Sequence, residues 1–410
     1  MFTTLFYIII AILTFEFLFS NYLSYLNSTK RSASLPKELE GIYDKEKYAK
    51  SQEYGKVNTR FSYITSAFSF VIIMLMFFLG GFAYIDGIAR EITDNQILIA
   101  LIFFGILMLA NDIISTPFDI YSTFVIEEKF GFNKTTIKTY ILDKLKGYLI
   151  GAIIGGGMMA LIIWFYTLTQ EMFWLYTWGA VSLFSVFMLM FYSNLIVPLF
   201  NKQTPLPDGE LRSEIEKFSN KVGFTLKNIF QIDGSKRSTK ANAYFTGLGG
   251  KKRIVLYDTL INDMEIKEIV AVLAHEVGHY KKKHSLQGMI ISIIQTGIIL
   301  FIFSLFVGNP AFSQALGVET ASFHIALITF GVLFTPISTI TSLFMNILSR
   351  KNEYEADKYA KDNYDGEKLI SSLKKLSVNN LSNLTPHPFY VFMYYSHPPL
   401  LSRINAIKNK

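Results

Sequence analysis

The stretch VLAHEVGHYKKKH, residues 272 to 284, holds three of the six histidines in a chain of 410 residues. If this stretch is helical, His275 and His279 stand four apart and share a face, so both imidazoles can reach one metal ion. Glu276 then projects roughly 100° round the axis, beside such an ion rather than on it. Two histidines and an adjacent carboxylate in this order point to zinc-dependent hydrolysis. Zinc lowers the pKa of a water it binds to about 7, which lets a neighbouring carboxylate take a proton near neutral pH. From Val272 to Gly278 the only charged side chain is Glu276. The competing account is a polar helix end beside a membrane surface.

A catalytic zinc generally has three protein ligands and one open position. The extended H-E-x-x-H-x-x-G-x-x-H pattern would need Gly at 282 and His at 285, but the chain has Lys282 and Ser285, which excludes that class. His284 lies five residues past His279 and is expected on another face, as a surface histidine or a minor contributor. A later acidic segment, RKNEYEADKYAKD (350 to 362), is the better source of a third ligand. There Glu353 and Asp357 share one helical face, with Glu355 roughly opposite. Glu353 could bind the ion while Asp357 orients a histidine from behind. The same spacing also allows a solvated acidic face paired with Lys351 and Lys358.

The elements that must position these residues are mostly membrane spans. The chain is 51% hydrophobic and only 17% charged, with a mean hydropathy of +0.32, where a soluble protein carries about 25% charged residues. A span needs about 20 mostly apolar residues. Seven stretches qualify, near 3 to 24, 62 to 84, 96 to 116, 148 to 168, 173 to 198, 286 to 308 and 322 to 347. The first lacks a basic start and a small-residue cleavage site, so it is expected to be a retained anchor and not a signal peptide. Lys and Arg alternate between the connecting loops: eight in 28 to 60, Arg90 alone in the next, five in 117 to 147, none in 169 to 172 or 309 to 321, and many in 199 to 285 and after 348. The positive-inside rule then places the N-terminus outside and the C-terminus in the cytosol. Trp164, Trp174 and Trp178 flank the turn at 169 to 172, as headgroup-level rings would; packing inside the bundle is the alternative. Asp112 and Asp119 lie at the inner end of the third span, where a carboxylate is costly in lipid, so they are expected to face water or the interface.

Between the spans, 199 to 285 is long enough for a small folded insert. Residues 207 to 223 have helical periodicity, and 228 to 233, 242 to 247 and 252 to 258 read as short strands, with Gly249-Gly250 as a turn. Ile266, Ile269, Val270, Leu273 and Val277 recur at three- to four-residue spacing, an amphipathic helix of roughly 264 to 284 that carries the H-E-x-x-H motif. The expected organisation is therefore residues 1 to 198 as five spans with loops, 199 to 285 as the protease insert, 286 to 347 as two further spans, and 348 to 410 as a cytosolic C-terminal region. The absence of cysteine removes disulfides, thiolate ligands and a cysteine nucleophile. A net charge of +7 is read as membrane orientation, with no nucleic-acid partner.

AHEVGHYKKKH, NEYEADKYA, STKANAYFTG and YSHPPLLSRI, with the loops at 115 to 136 and 197 to 212, resemble the motifs of the type I CAAX prenyl proteases over nearly the whole chain. That resemblance implies an α-helical integral membrane protein: seven transmembrane helices around a large water-filled chamber, with a small cytosolic α+β metalloprotease region. It implies His275, His279 and Glu353 as zinc ligands, one ion per chain, with Glu276 as general base and Asp357 behind the metal. It implies Asn242 as a substrate contact beside the scissile bond, His397 as a stabiliser of the oxyanion, and Arg403 as a support of the site. The implied reaction is removal of the last three residues of a prenylated C-a-a-X protein or peptide at a lipid surface. Read from the residues alone, His397 before two prolines is a turn histidine and Arg403 a surface residue. Two rival functions remain at this stage: a membrane quality-control protease with the same zinc chemistry and no prenyl requirement, and a non-catalytic transporter or scaffold. Short loops without large acidic insertions favour a bacterial plasma membrane over the endoplasmic reticulum.

Overall fold

The computed structural model describes residues 3–31, 40–224, 229–246 and 253–409. Its long helices follow the apolar runs but overshoot them. The helix Lys45–Phe78 opens where Asp44 accepts a hydrogen bond from the Lys47 N–H at 2.7 Å. Its 34 residues make a rod of about 50 Å, longer than the roughly 30 Å of hydrocarbon, so its polar first half stands clear of the apolar layer. It stops at Phe78, before the expected end, because Gly80 turns the chain at φ 69°. The residues beyond, expected as a loop, form an amphipathic helix Gly81–Ile92 that buries Phe82, Ile85 and Ala89. Asp86 on that helix accepts from Arg90 at 2.8 Å and lies 2.7 Å from the Nε2 of buried His324, fastening this end of the bundle.

Among the described residues, six helical stretches are long and apolar enough to cross a membrane. One of them, Ile137–Phe200, runs for 64 residues and is two crossings. Gln170 at φ 47° and the short turn Gln170–Met172 reverse the chain there. The two arms then pack through Tyr166 against Phe173, with ring centroids 5.3 Å apart. Seven crossings result. Between 6% and 33% of each apolar window is buried within the chain, so most residues of these windows keep accessible apolar surface, as helices that face lipid do. The accessible surface, 21450 Å², exceeds the ~16,000 Å² expected of a compact soluble chain of this mass.

Two sequence expectations change here. Trp178 donates its indole N–H to the Ile293 carbonyl at 2.7 Å, so it ties two helices together and is a packing residue, while Trp164 is exposed. Asp112 is paired with Lys144, at 2.9 Å, with Thr116 and Tyr148 as further hydrogen-bond donors, while Asp119 is exposed, as expected. A carboxylate inside an apolar span is tolerated when a cation from the next helix neutralises it.

The α+β region holds one sheet of four strands, β1 (Gln203–Pro205), β2 (Ile229–Ile232), β3 (Ala243–Thr246) and β4 (Arg253–Tyr257), in the order β1-β2-β4-β3. β2 and β4 are parallel, while β1 and β3 pair antiparallel at the two edges. β1 was not expected, since three residues around a proline carry no pattern. The Gly249-Gly250 turn lies outside the described residues. Ile254 and Leu256 of β4 pack with Ile269, Val270, Leu273 and Val277 of the helix Ile266–Lys281, and with Ala360, Leu400 and Ile404 from far along the chain. That shared core brings the two halves of the site together.

Candidate active site

The H-E-x-x-H motif sits on the helix Ile266–Lys281, whose start is fixed by a capping box between Glu265 and Glu268. Its partner is the helix Phe323–Asn363, which runs 41 residues without a break from the last crossing to the acidic segment. The two helices cross at Gly278. A Cβ there would stand 3.1 Å from Ala356 Cα and from the Ala356 carbonyl oxygen. Only a residue without a side chain lets the backbones approach this closely, and the approach carries Glu353, one turn earlier, to the paired histidines.

The donor atoms converge. His275 Nε2 and His279 Nε2 are 3.1 Å apart, Glu353 Oε1 is 3.2 Å from His279 Nε2, and Glu353 Oε2 is 3.5 Å from His275 Nε2. Atoms bound tetrahedrally to one ion at about 2.0–2.2 Å lie roughly 3.3–3.6 Å from each other, so this set fits a single small cation. Glu353 is buried; its Oε2 makes no hydrogen bond among the described residues, and Arg403 Nη1, 3.3 Å away, is a cation that offsets the burial of this charge. Burial pushes the His279 imidazole down, but Glu353, followed by Glu276, more than offsets this and raises its pKa. The field at the site therefore favours positive charge.

Behind the donors lies a second set of contacts. His275 Nδ1 is 2.8 Å from Asp357 Oδ1, and Arg403 donates to both Asp357 oxygens, at 2.8 Å from Nε and 2.6 Å from Nη2. This fork fixes the His275 ring with Nε2 forward. Arg403 is buried rather than on the surface: its side chain is 11% exposed, with Nη1 3.3 Å from Glu353 Oε2. Burial works to lower its pKa, and Asp357, Glu353 and Glu276 more than compensate.

His284 also departs from expectation. It is buried, 8% exposed, and it faces the site. The motif helix ends at Lys281, Lys283 takes a left-handed conformation at φ 62°, and a new helix starts at His284. The turn swings the ring back, so that His284 Nδ1 is 3.1 Å from His279 Nδ1 and its Nε2 is 3.3 Å from Glu355 Oε2. Each histidine of the pair thus has a partner on its rear nitrogen. No glycine marks the break, so a continuous helix was the natural reading.

Glu276 is half-buried and close enough to influence both His279 and Arg403. His397 is 66% exposed, with Nε2 3.4 Å from Glu353 Oε1 and Nδ1 3.0 Å from Ser396 Oγ, so it stands at the open side of the donor set. Asn242 precedes the edge strand β3; its side chain is exposed and caps its own strand by accepting from the Ala243 N–H at 2.8 Å. No contact joins Asn242 to the donor atoms among the described residues. Strand β3 touches the last turn of the motif helix, with Phe245 and Tyr280 rings 5.6 Å apart.

The approach to β3 rests on residues that the sequence did not single out. Lys240 binds Glu127 at 2.7 Å and the Tyr54 hydroxyl at 3.1 Å, and Tyr54 donates to Glu127 at 2.5 Å. Lys134 N–H reaches the Arg237 carbonyl and Thr239 N–H the Phe132 carbonyl. The loop after the third crossing is therefore stitched to the strand that follows it by a hundred residues, a pairing no local pattern reveals.

A buried carboxylate and two helix-borne imidazoles aimed at one point, with the Glu276 carboxylate beside them, in a chain of membrane-spanning helices, define a membrane metallopeptidase. Residues 24–202 match the family model "CAAX prenyl protease N-terminal, five membrane helices", and residues 205–410 match "Peptidase family M48". The chain is 35% identical to "CAAX prenyl protease 1 homolog" of Oryza sativa, covering 97% of each chain, and 35% identical to "CAAX prenyl protease 1" of Saccharomyces cerevisiae, covering 96% of this chain and 92% of the other. The crystal structure of S. mikatae Ste24p superposes with a TM-score of 0.94 at 34% identity, covering 99% of this chain and 100% of that one. The chain belongs to peptidase family M48, in its CAAX prenyl protease branch.

Proposed function

We propose that the metal is zinc, held by His275, His279 and Glu353, and that the enzyme removes the last three residues of prenylated C-a-a-X proteins or peptides. The observation that carries this reading is the convergence of Glu353 on the paired imidazoles, with donor separations of 3.1–3.5 Å. Nitrogen and carboxylate donors in a three-ligand set suit zinc with a position left for substrate. When bound, zinc would supply Lewis acidity to the scissile carbonyl and acidity to the attacking water.

The chain's own residues do the rest. Glu276 takes the proton from water and passes it to the leaving amine. His397, exposed beside Glu353, donates from Nε2 to the oxygen that becomes negative. The edge strand β3, with Asn242 at its start, holds the substrate backbone by strand addition. Asp357 and Arg403 keep His275 in one tautomer. The charge asymmetry of the loops supports an N-terminus outside and a C-terminus in the cytosol, which puts the site where a lipidated C-terminus would present itself. Loop length does not separate a bacterial plasma membrane from the endoplasmic reticulum, since the plant relative matches nearly end to end.

Glu276→Gln tests the mechanism. Metal analysis is expected to give one zinc per chain, unchanged, with cleavage lost; full cleavage by that variant would refute the assignment. A prenylated C-a-a-X peptide is expected to be cut faster than its unprenylated twin, and equal rates would favour a quality-control protease instead.

A further inference from the structure

A polar cavity of about 380 Å³ opens between the end of the first crossing, the early turns of the helix Lys45–Phe78 and the chain at 380–383. Arg31 lines it, together with Asn27, Asn58, Thr59, Ser382 and Asn383, and among the described residues no acidic side chain does. The guanidinium is half-buried and gives one hydrogen bond to Thr59 Oγ1 at 2.7 Å; among the described residues no carboxylate pairs with it. Burial pushes its pKa down, and Tyr63 offsets this only in part.

Gly55 makes the seat for that cation. A Cβ at Gly55 would stand 3.1 Å from Arg31 Cζ, Nε and Nη2. A glycine inside a helix costs about 1 kcal/mol relative to alanine, and here the bare backbone is the surface on which the guanidinium rests. Two buried acceptors, Gln52 Oε1 and Asn380 Oδ1, border the same cavity and have no hydrogen-bond partner among the described residues. One unpaired cation beside acceptors that need donors is complementary to a peptide terminus, which brings a carboxylate and N–H groups together. A lipid phosphate brings the anion without the donors.

The cavity is linked to His397 through shared lining residues. Ser382 and Asn383 border both it and a neighbouring cavity of about 440 Å³ that contains His397, and Tyr54 on its rim belongs to the network that supports β3.

We propose that Arg31, seated on Gly55, receives the free C-terminal carboxylate of the peptide substrate, so that the enzyme measures the cut from the chain end. This rests on the protease reading above and adds its recognition element.

The experiment compares one prenylated C-a-a-X peptide with its C-terminal amide, in detergent and in vesicles of phosphatidylcholine with and without phosphatidylglycerol. The unaltered protein is expected to show a KM about 10- to 100-fold lower for the acid, the range of a desolvated charge-assisted hydrogen bond. In Arg31→Gln the KM of the acid is expected to rise to meet that of the amide, and Arg31→Lys to restore part of the difference. Gly55→Ala, which keeps the charge but lifts it off its seat, is expected to shrink the difference in the same direction. Equal KM for acid and amide on the unaltered protein overturns the proposal while leaving the protease reading intact, since both peptides are cut. A preference that survives in Arg31→Gln also overturns it, as does an Arg31 effect that follows phosphatidylglycerol content and ignores the peptide terminus. Cleavage of neither peptide overturns the protease reading and this proposal with it.

Discussion

Gly278→Ala puts the geometry of the site under a small and calculable load. Alanine is the better helix former by about 1 kcal/mol, so on an isolated helix the change would stabilise. Here the added Cβ meets Ala356 Cα and the Ala356 carbonyl oxygen at 3.1 Å, and Tyr359 Cβ at the same distance. Comfortable carbon contacts lie at about 3.5–4.0 Å, so the two helices must part by ~0.4 Å or more. Two of the three obstructing atoms are backbone and cannot rotate away. Metal sites tolerate about ±0.2 Å in donor position, and Glu353 rides on the helix that must move. Propensity gain and contact strain nearly cancel, so the thermal midpoint is expected to shift by about 2 °C or less, while zinc affinity falls about 10- to 100-fold. Competition with a fluorescent chelator reads the affinity and differential scanning fluorimetry in detergent reads the fold. Wild-type affinity in a folded Gly278→Ala protein would refute the claim that this crossing sets the position of the third donor.

Three further outcomes follow from the same contacts. Asp357→Asn removes the acceptor that fixes His275 and strips Arg403 of its fork; zinc affinity is expected to drop about 10- to 100-fold, and unchanged affinity on titration would show that the His275–Asp357 contact is passive. His284→Ala leaves His279 Nδ1 without its partner and should weaken zinc in the same range, with Glu355→Gln giving a milder loss; a chelator titration in which neither variant differs from the parent would return His284 to the role of a packing residue. Glu268, 1% exposed, is clasped by Lys375 at 2.7 Å and Ser371 at 2.5 Å. Burial pushes its carboxyl up, but Lys375, Ser371 and the Glu265 backbone N–H more than offset this and hold it below the usual range. Its contribution is therefore full above the unfolded carboxylate value, about 4.3, and fades as pH falls through the lower folded value. Lys375→Met is expected to lower stability at neutral pH by about 2–3 kcal/mol and to flatten the acid limb of the thermal midpoint against pH; an unchanged midpoint would refute the role of the clasp.

The legible parts of this protein are those written in local patterns. Spans announced themselves by length and apolarity, β2, β3 and β4 by short β-branched and aromatic runs between turns, and the motif helix by its three-to-four spacing. Even Glu353 and Asp357 could be picked as a pair, because spacing on a helix is a local property, although only packing at Gly278 decides that they meet the histidines. What stayed hidden depends on partners distant in sequence or on backbone conformations that no residue type advertises. Lys283 adopts a left-handed conformation without being glycine, and His284 was misplaced for that reason. Asp112 gave away its burial cost but not its partner Lys144 on the following helix. Arg403 looked like one more basic residue of a C-terminal helix, since nothing in LLSRINAIK distinguishes the guanidinium that is clamped by Asp357.

The unbroken rod from Phe323 to Asn363 has one more implication. Its lower end supplies a donor to the hydrolytic centre and its upper end is anchored among lipids, so the chemistry has no water-soluble surrogate. Excising the polar segments would discard the lever that delivers Glu353. Anyone screening inhibitors or engineering altered cleavage must work with the intact polytopic chain in a bilayer mimic, and bilayer thickness itself becomes an experimental variable of turnover.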